Sequence, residues 1–210
     1  TGAVISRKTI EQIAKLAVKH NLLVISDEVY NPILYDGAEH YSIINEPGMQ
    51  ERTIIVNSFS KAFAMTGWRI GYAAGPADMI DKMVILQENL SSCVSSIAQY
   101  GALAMLDYPE RSEEMRDTYR RRRDILVDGL NSIPGISCVR PKGAFYAFPN
   151  ISALGKTSVD LANDLLEKCE VVTVPGSAFG DAGEGYIRIS YANSEENIRT
   201  ALERIRKYVE

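Results

Sequence analysis

The sequence predicts an α/β fold: part of a mainly parallel-sheet domain followed by a smaller C-terminal α+β domain. Three observations carry this. Two short, unbroken apolar runs, Leu22 to Ser26 and Thr53 to Asn57, have the length and composition of strands buried on both faces of a parallel sheet. Around them, apolar residues recur at helical spacing. Beyond the turn Ser132-Ile133-Pro134-Gly135 the texture changes to short strands interleaved with two helices.

Taken in order, Ile10, Ile13, Leu16 and Ala17 mark a helix that Ser6 can cap and that stops at Asn21. The first strand ends at Asp27-Glu28. Tyr35-Asp36-Gly37 and Glu46-Pro47-Gly48 read as turns in a connection long enough to carry a short helix. After the second strand, Arg69 to Ala74 reads as a third, closed by Gly75-Pro76, with Pro76 suited to the first turn of the next helix. Helical spacing then runs from residue 76 to about 107 through Met79, Ile80, Met83 and Val84, and again through Ile97, Ala98, Ala102 and Met105. Pro109 starts another helix reaching Leu130, and a domain change is expected there, dividing 1–108 from 109–210. Strands at Ile136 to Arg140 and Phe145 to Phe148, a helix from Ser158 to Cys169, strands at Val171 to Val174 and Tyr186 to Tyr191, and a helix from Ser194 complete the reading.

Composition narrows the function classes. The chain has 23 Lys+Arg against 27 Asp+Glu, a formal charge of −4, and is 46% hydrophobic and 24% charged. That is the balance of an ordinary globular protein without the basic footprint of a nucleic-acid binder. The run Arg120 to Arg123 is flanked by acids and is expected to form a solvated helix face. No apolar run approaches the roughly 18 residues that span a bilayer, so no membrane partner is expected. Cys93, Cys138 and Cys169 are odd in number and widely spaced, which disfavours a disulfide framework or a zinc site and points to a reducing, cytoplasmic setting. With only His20 and His40, neither a metal cluster nor a Ser-His-Asp triad is expected. The Cys and Met residues are expected in the core.

The chemistry concentrates in Ser58-Phe59-Ser60-Lys61, Gly67-Trp68-Arg69-Ile70-Gly71 and the segment Asp27-Glu28-Val29-Tyr30. Ligands of open α/β sheets bind beyond the carboxyl ends of the strands, where Asp27, Tyr30, Ser58, Ser60 and Lys61 would emerge. A lysine amine can form a Schiff base with an aldehyde, hydroxyls and the Arg69 guanidinium can hold a phosphate, and a carboxylate can pair with a ring nitrogen. These are the parts of a pyridoxal phosphate site. Each residue also has a plainer reading: Lys61 as a solvated loop residue, Asp27 as a turn cap, Tyr30 as an interface aromatic, Arg188 as an ion-pair partner.

Ser-Phe-Ser-Lys, five residues, then Gly-x-Arg-x-Gly resembles the lysine signature of class I/II aminotransferases of fold type I, the aspartate aminotransferase superfamily. Ile25-Ser26-Asp27-Glu28-Val29-Tyr30, Gly143-Ala144-Phe145-Tyr146 and Tyr186-Ile187-Arg188-Ile189-Ser190 are similar to further motifs of that family, in the family's order. The resemblance implies that Lys61 is the Schiff-base lysine, Asp27 the partner of the pyridine nitrogen, and Tyr30 a hydrogen-bond partner of the ring's phenolic oxygen. Ser58, Arg69 and Ser60 would bind phosphate, and Arg188 would clamp the substrate α-carboxylate. The implied reaction moves an amino group between an amino acid and a 2-oxo acid on pyridoxal 5′-phosphate, in a homodimer. No metal is implied. A carbon–sulfur β-lyase on the same fold, or the aminotransferase-like domain of a transcription regulator, are the alternatives. Thr1-Gly2 resembles the tail of the family's Asn-Pro-Thr-Gly motif, so a C-terminal half is expected, with the remaining strands and cofactor contacts upstream. Such a piece is expected to be inactive alone, to bind the cofactor weakly or not at all, and to expose an unpaired sheet edge and apolar faces.

Overall fold

The computed structural model describes residues 1–210. The chain forms two compact units, Val4–Met115 and Thr1–Ala3 with Arg116–Glu210. The helix that begins at Pro109 runs through the division.

In the Val4–Met115 unit, α1 (Arg7–Lys19) starts where Ser6 Oγ accepts from the Thr9 N–H at 3.2 Å. Its Ala14 and Ala17 are buried with Ile43 and Met49. β1 (Val24–Asp27) lies parallel to β2 (Thr53–Ser58), and β3 (Gly71–Ala74) completes the order β1-β2-β3. β3 runs antiparallel to β2, with Ser58 opposite Gly71, so the sheet is mixed and its third strand starts two residues later than expected. Arg69 is excluded from it by a left-handed backbone, φ 55° and ψ 50°. A four-residue helix α2 (Phe59–Ala62) follows β2, and the helical spacing of residues 76 to about 107 resolves into α3 (Ala77–Ser91) and α4 (Ser96–Met105). Phe59, Met65 and Ile70 bury against Ala98 and Ala102 of α4.

Of the two-sided burial expected of the first strand, one side is filled within these 210 residues; on the other Leu23 is 70% and Ile25 73% exposed, the uncovered apolar face expected of a C-terminal half. Alternation explains which side is covered. Val24, Ser26 and Glu28 point to one face with the buried Thr53 and Asn57, while Ile25 and Asp27 point to the other.

The second unit is built from the later turns of α5 (Pro109–Asn131), α6 (Ser158–Cys169), α7 (Glu195–Val209) and an antiparallel sheet of order β4-β6-β5, with β4 at Tyr146–Ala147, β5 at Val174–Pro175 and β6 at Ile187–Ser190. Thr157 Oγ1 accepts from Asp160 N–H and Ser194 Oγ from Asn197 N–H, each at 3.1 Å, which fixes the starts of α6 and α7. Leu126, Leu130, Leu161, Leu165 and Ile187 are almost fully buried, each burial contributing about 1.5–3 kcal/mol. Of the strand expected at Ile136 to Arg140, only a bridge between Ser137 and Asn150 forms.

Two side-chain expectations are corrected. Arg123 is only 2% exposed, not part of a solvated face: its guanidinium donates to the Pro141 carbonyl at 2.9 Å and pairs with Asp124 at 2.8 Å, so the buried charge is matched. Cys93 is exposed, whereas Cys138 and Cys169 are buried. Gly2 joins the same unit, its carbonyl accepting from Lys142 N–H (2.8 Å) and Gly143 N–H (3.1 Å). Its φ of +72° and the 2.5 Å that would separate an added Cβ from the Pro141 Cβ leave room for glycine alone. No helix is long and apolar enough to cross a membrane.

Candidate active site

Six of the seven residues singled out in the sequence lie in the Val4–Met115 unit, on segments leaving the carboxyl ends of β1 and β2. Parallel pairing makes these ends one edge. Asp27 pairs with Val56, and the Glu28 N–H reaches the Val56 carbonyl at 2.9 Å. Paired residues share a face, as do residues two apart on one strand, so Asp27 and Ser58 stand on the same face of the sheet.

Asp27 is exposed, and its Oδ1 accepts from the Val29 N–H at 3.2 Å. This Asx turn starts the turn that carries the half-buried Tyr30, so the capping role read for Asp27 is realised, with a second carboxylate oxygen left over. Ser58 caps α2: its Oγ accepts from the Ser60 N–H and donates to the Ile70 carbonyl, both at 3.1 Å. The hydroxyl proton is thus committed, and Ser58 must turn away from Ile70 to donate to an anion. Ser60 and Lys61 follow on α2, both half-buried.

Arg69 is exposed, and its Nη1 donates back to the Thr66 carbonyl at 3.0 Å. Ala64 shares its left-handed conformation, with φ 53°. Such backbone costs a side-chain-bearing residue about 1–2 kcal/mol, so the loop between Lys61 and Arg69 is strained at two points.

Arg188 belongs to the other unit. It stands on β6 between the buried Ile187 and Ile189, facing the opposite side from them. Its guanidinium carbon lies 4.5 Å from the centre of the Tyr146 ring and 4.3 Å from that of Phe179.

Two features were not read from the sequence. The first is Glu28, whose buried carboxylate accepts from Ser26 Oγ (3.0 Å) and Ser42 Oγ (2.5 Å) and lies 2.8 Å from His40 Nε2. It ties the stretch from His40 to Ser42 to the strand end that bears Asp27. The period-two alternation of β1, which puts Glu28 on the covered face, was the available signal. The second is Phe179, brought to Arg188 from the turn Gly176–Phe179 with no local signal.

The donor set at the sheet edge comprises an amine, a carboxylate, a phenol, hydroxyls and a guanidinium, which is the chemistry a phosphorylated pyridine aldehyde requires. Comparison with known proteins agrees in kind. Residues 1–205 match the family model for aminotransferase class I and II. The chain is 50% identical over 211 residues to an aspartate aminotransferase of Pyrococcus abyssi, covering 99% of this chain and 54% of that protein. It is 48% identical to aromatic-amino-acid aminotransferase 2 of Thermococcus litoralis, with the same coverage. The crystal structure of an aromatic aminotransferase from Pyrococcus horikoshii superposes with a TM-score of 0.95 at 49% identity, covering 100% of this chain and 57% of that one. The chain thus spans about half the length of the relatives it matches. By its motifs, its fold and its match to the family model over nearly every residue, this chain belongs to the class I and II aminotransferases.

Proposed function

We propose that this chain supplies the later part of the cofactor domain and the small domain of an aminotransferase that uses pyridoxal 5′-phosphate to move an amino group from an amino acid to a 2-oxo acid. The observation that carries this is the shared sheet edge, where Asp27 and Ser58 stand on one face and Lys61 follows on α2. When bound, the cofactor supplies an aldehyde that condenses with amines and a ring that accepts the electron pair released at the substrate Cα.

The protein's own groups do the rest. Lys61 Nζ would anchor the cofactor and would serve as the base that carries the proton leaving the substrate Cα. Asp27 offers its free carboxylate oxygen to the ring nitrogen and keeps a proton there. Tyr30 donates to the ring oxygen, and Ser58, Ser60 and Arg69 hold the phosphate, Ser58 by exchanging its Ile70 bond for a phosphate oxygen. Arg188 takes the substrate α-carboxylate, a planar fork that lysine could not reproduce.

The remaining cofactor contacts come from residues outside these 210. The working form is a homodimer, supported by the exposed apolar side chains Ile97, Tyr100 and Leu103 along α4. An exposed thiol at Cys93 fits a cytoplasmic setting.

The test uses the protein of family length that carries these residues. Amino transfer to 2-oxoglutarate from aspartate or an aromatic amino acid, the donors named for its relatives, is the expected result. Pyruvate release from cystathionine without amino transfer would replace the proposal with β-elimination on the same residues. DNA binding with neither activity would replace it with a regulator.

A further inference from the structure

Arg188 has no carboxylate partner; its contacts are two aromatic faces, Tyr146 at 4.5 Å and Phe179 at 4.3 Å. These rings are themselves held. Tyr146 packs on Phe145 (4.8 Å), which packs on Tyr119 (5.3 Å), and Phe179 meets the edge of Phe148 (6.1 Å), which stacks on Tyr186 at 5.2 Å with 5° between the planes. The guanidinium thus lies over two rings of one aromatic cluster.

The turn that carries Phe179, Gly176–Phe179, is fixed by close backbone approach. A Cβ on Gly176 would collide with the Gly183 carbonyl oxygen, one on Gly183 with that of Gly176, and the Gly176 N–H donates to the Tyr186 carbonyl at 2.8 Å. Glycine at both positions lets the turn close and sets Phe179 over Arg188.

A guanidinium is flat, with its N–H bonds in the plane, and its charge is attracted to the faces of aromatic rings. With the guanidinium carbon over two ring faces, the in-plane N–H edge is the direction that remains for a ligand, which is the geometry of a bidentate carboxylate contact. Ring contact also displaces water that would compete for the charge and spares the long side chain an ordering cost when ligand arrives.

We propose that Phe179, together with Tyr146, is a positioning residue that holds the Arg188 guanidinium plane and thereby sets the affinity for the substrate carboxylate. This rests on Arg188 being the carboxylate clamp, and the experiment separates the two claims.

In the cofactor-loaded protein of family length, F179A, F179L, F179Y, R188A and the F179A/R188A double variant are compared. KM and kcat are measured with the amino donor, and binding of succinate and of 3-phenylpropionate is measured by calorimetry. Phe179 is 50% exposed, so its truncation leaves no sealed cavity, and F179L keeps apolar bulk without the ring. F179A and F179L should each raise KM and the Kd of the bound carboxylate about five- to tenfold with kcat changed less than about twofold. F179Y, which keeps the ring, should restore the parent Kd, and F179A should add nothing once Arg188 is gone. A parental Kd in F179A or F179L, or a full F179A effect in the R188A background, overturns the positioning role while leaving the clamp intact. A parental Kd in R188A overturns the clamp and the inference with it.

Discussion

The two units solve different problems. Nearly all of the most deeply buried large side chains, Leu126, Leu161, Leu165, Ile187 and Tyr191 among them, lie in the Arg116–Glu210 unit, with only Ile33 and Met49 on the other side. There, Arg188 is held by packing. In the Val4–Met115 unit the sheet face that bears Asp27 also bears the exposed Ile25, and the chemical groups are placed by hydrogen bonds and backbone conformation: an Asx turn at Asp27, a cap at Ser58, left-handed residues at Ala64 and Arg69. Within these 210 residues, then, one candidate residue stands on a packed strand, while the other six lie on segments leaving a sheet whose Ile25 face is uncovered, as expected of a C-terminal half.

The sharpest test of that contrast is stability. Leu165→Ala should cost about 2–5 kcal/mol through the cavity it opens, whereas Ile25→Thr should change stability by less than about 0.5 kcal/mol, in urea unfolding of this 210-residue chain. Equal costs would mean that the Ile25 face is covered after all. Next in size, Asp27→Asn keeps an oxygen for the Val29 N–H but removes the charge. In the protein of family length it should lower kcat by about 100-fold or more while leaving Tm unchanged. A fall in Tm with little change in kcat would assign Asp27 to the turn alone.

The smallest effect separates the units by pH. Asp164 is bonded by Lys156, Lys168 and Tyr208, and its carboxyl is held well below the usual carboxylate range by hydrogen bonds from the Lys156 ammonium first, then Lys168, then Tyr208. Its folded pKa lies below its unfolded value, so its contribution is full above about pH 4 and fades as the pH falls below that. Asp164→Asn should therefore lower Tm modestly near neutrality and converge with the parent in acid. A difference that grows on acidification would contradict the sign.

Much of this was legible in the sequence. Ser6 was legible as a cap because it places a hydroxyl three residues before an N–H that needs an acceptor; Thr157 and Ser194 cap by the same spacing without having been read as caps, and α6 has the bounds its spacing predicts. The sheet-edge residues were legible because a parallel strand delivers its carboxyl end to a common edge. Strand direction was not: an apolar run such as Gly71 to Ala74 reads the same in either sense, and nothing local marks the left-handed Arg69 that precedes it. Nor was the burial of Arg123, which its acidic neighbours masked and which the Pro141 carbonyl explains. The aromatic cluster around Arg188 joins residues from four separate segments, so no local pattern announces it.

The most direct test of the central claim is to trap the cofactor where it binds. Protein of family length is incubated with pyridoxal phosphate, reduced with borohydride, digested and read by peptide mass spectrometry. The account predicts the cofactor's mass on Lys61, absent from Lys61→Ala. Labelling of another lysine in the parent, with Lys61 unmodified, would contradict it.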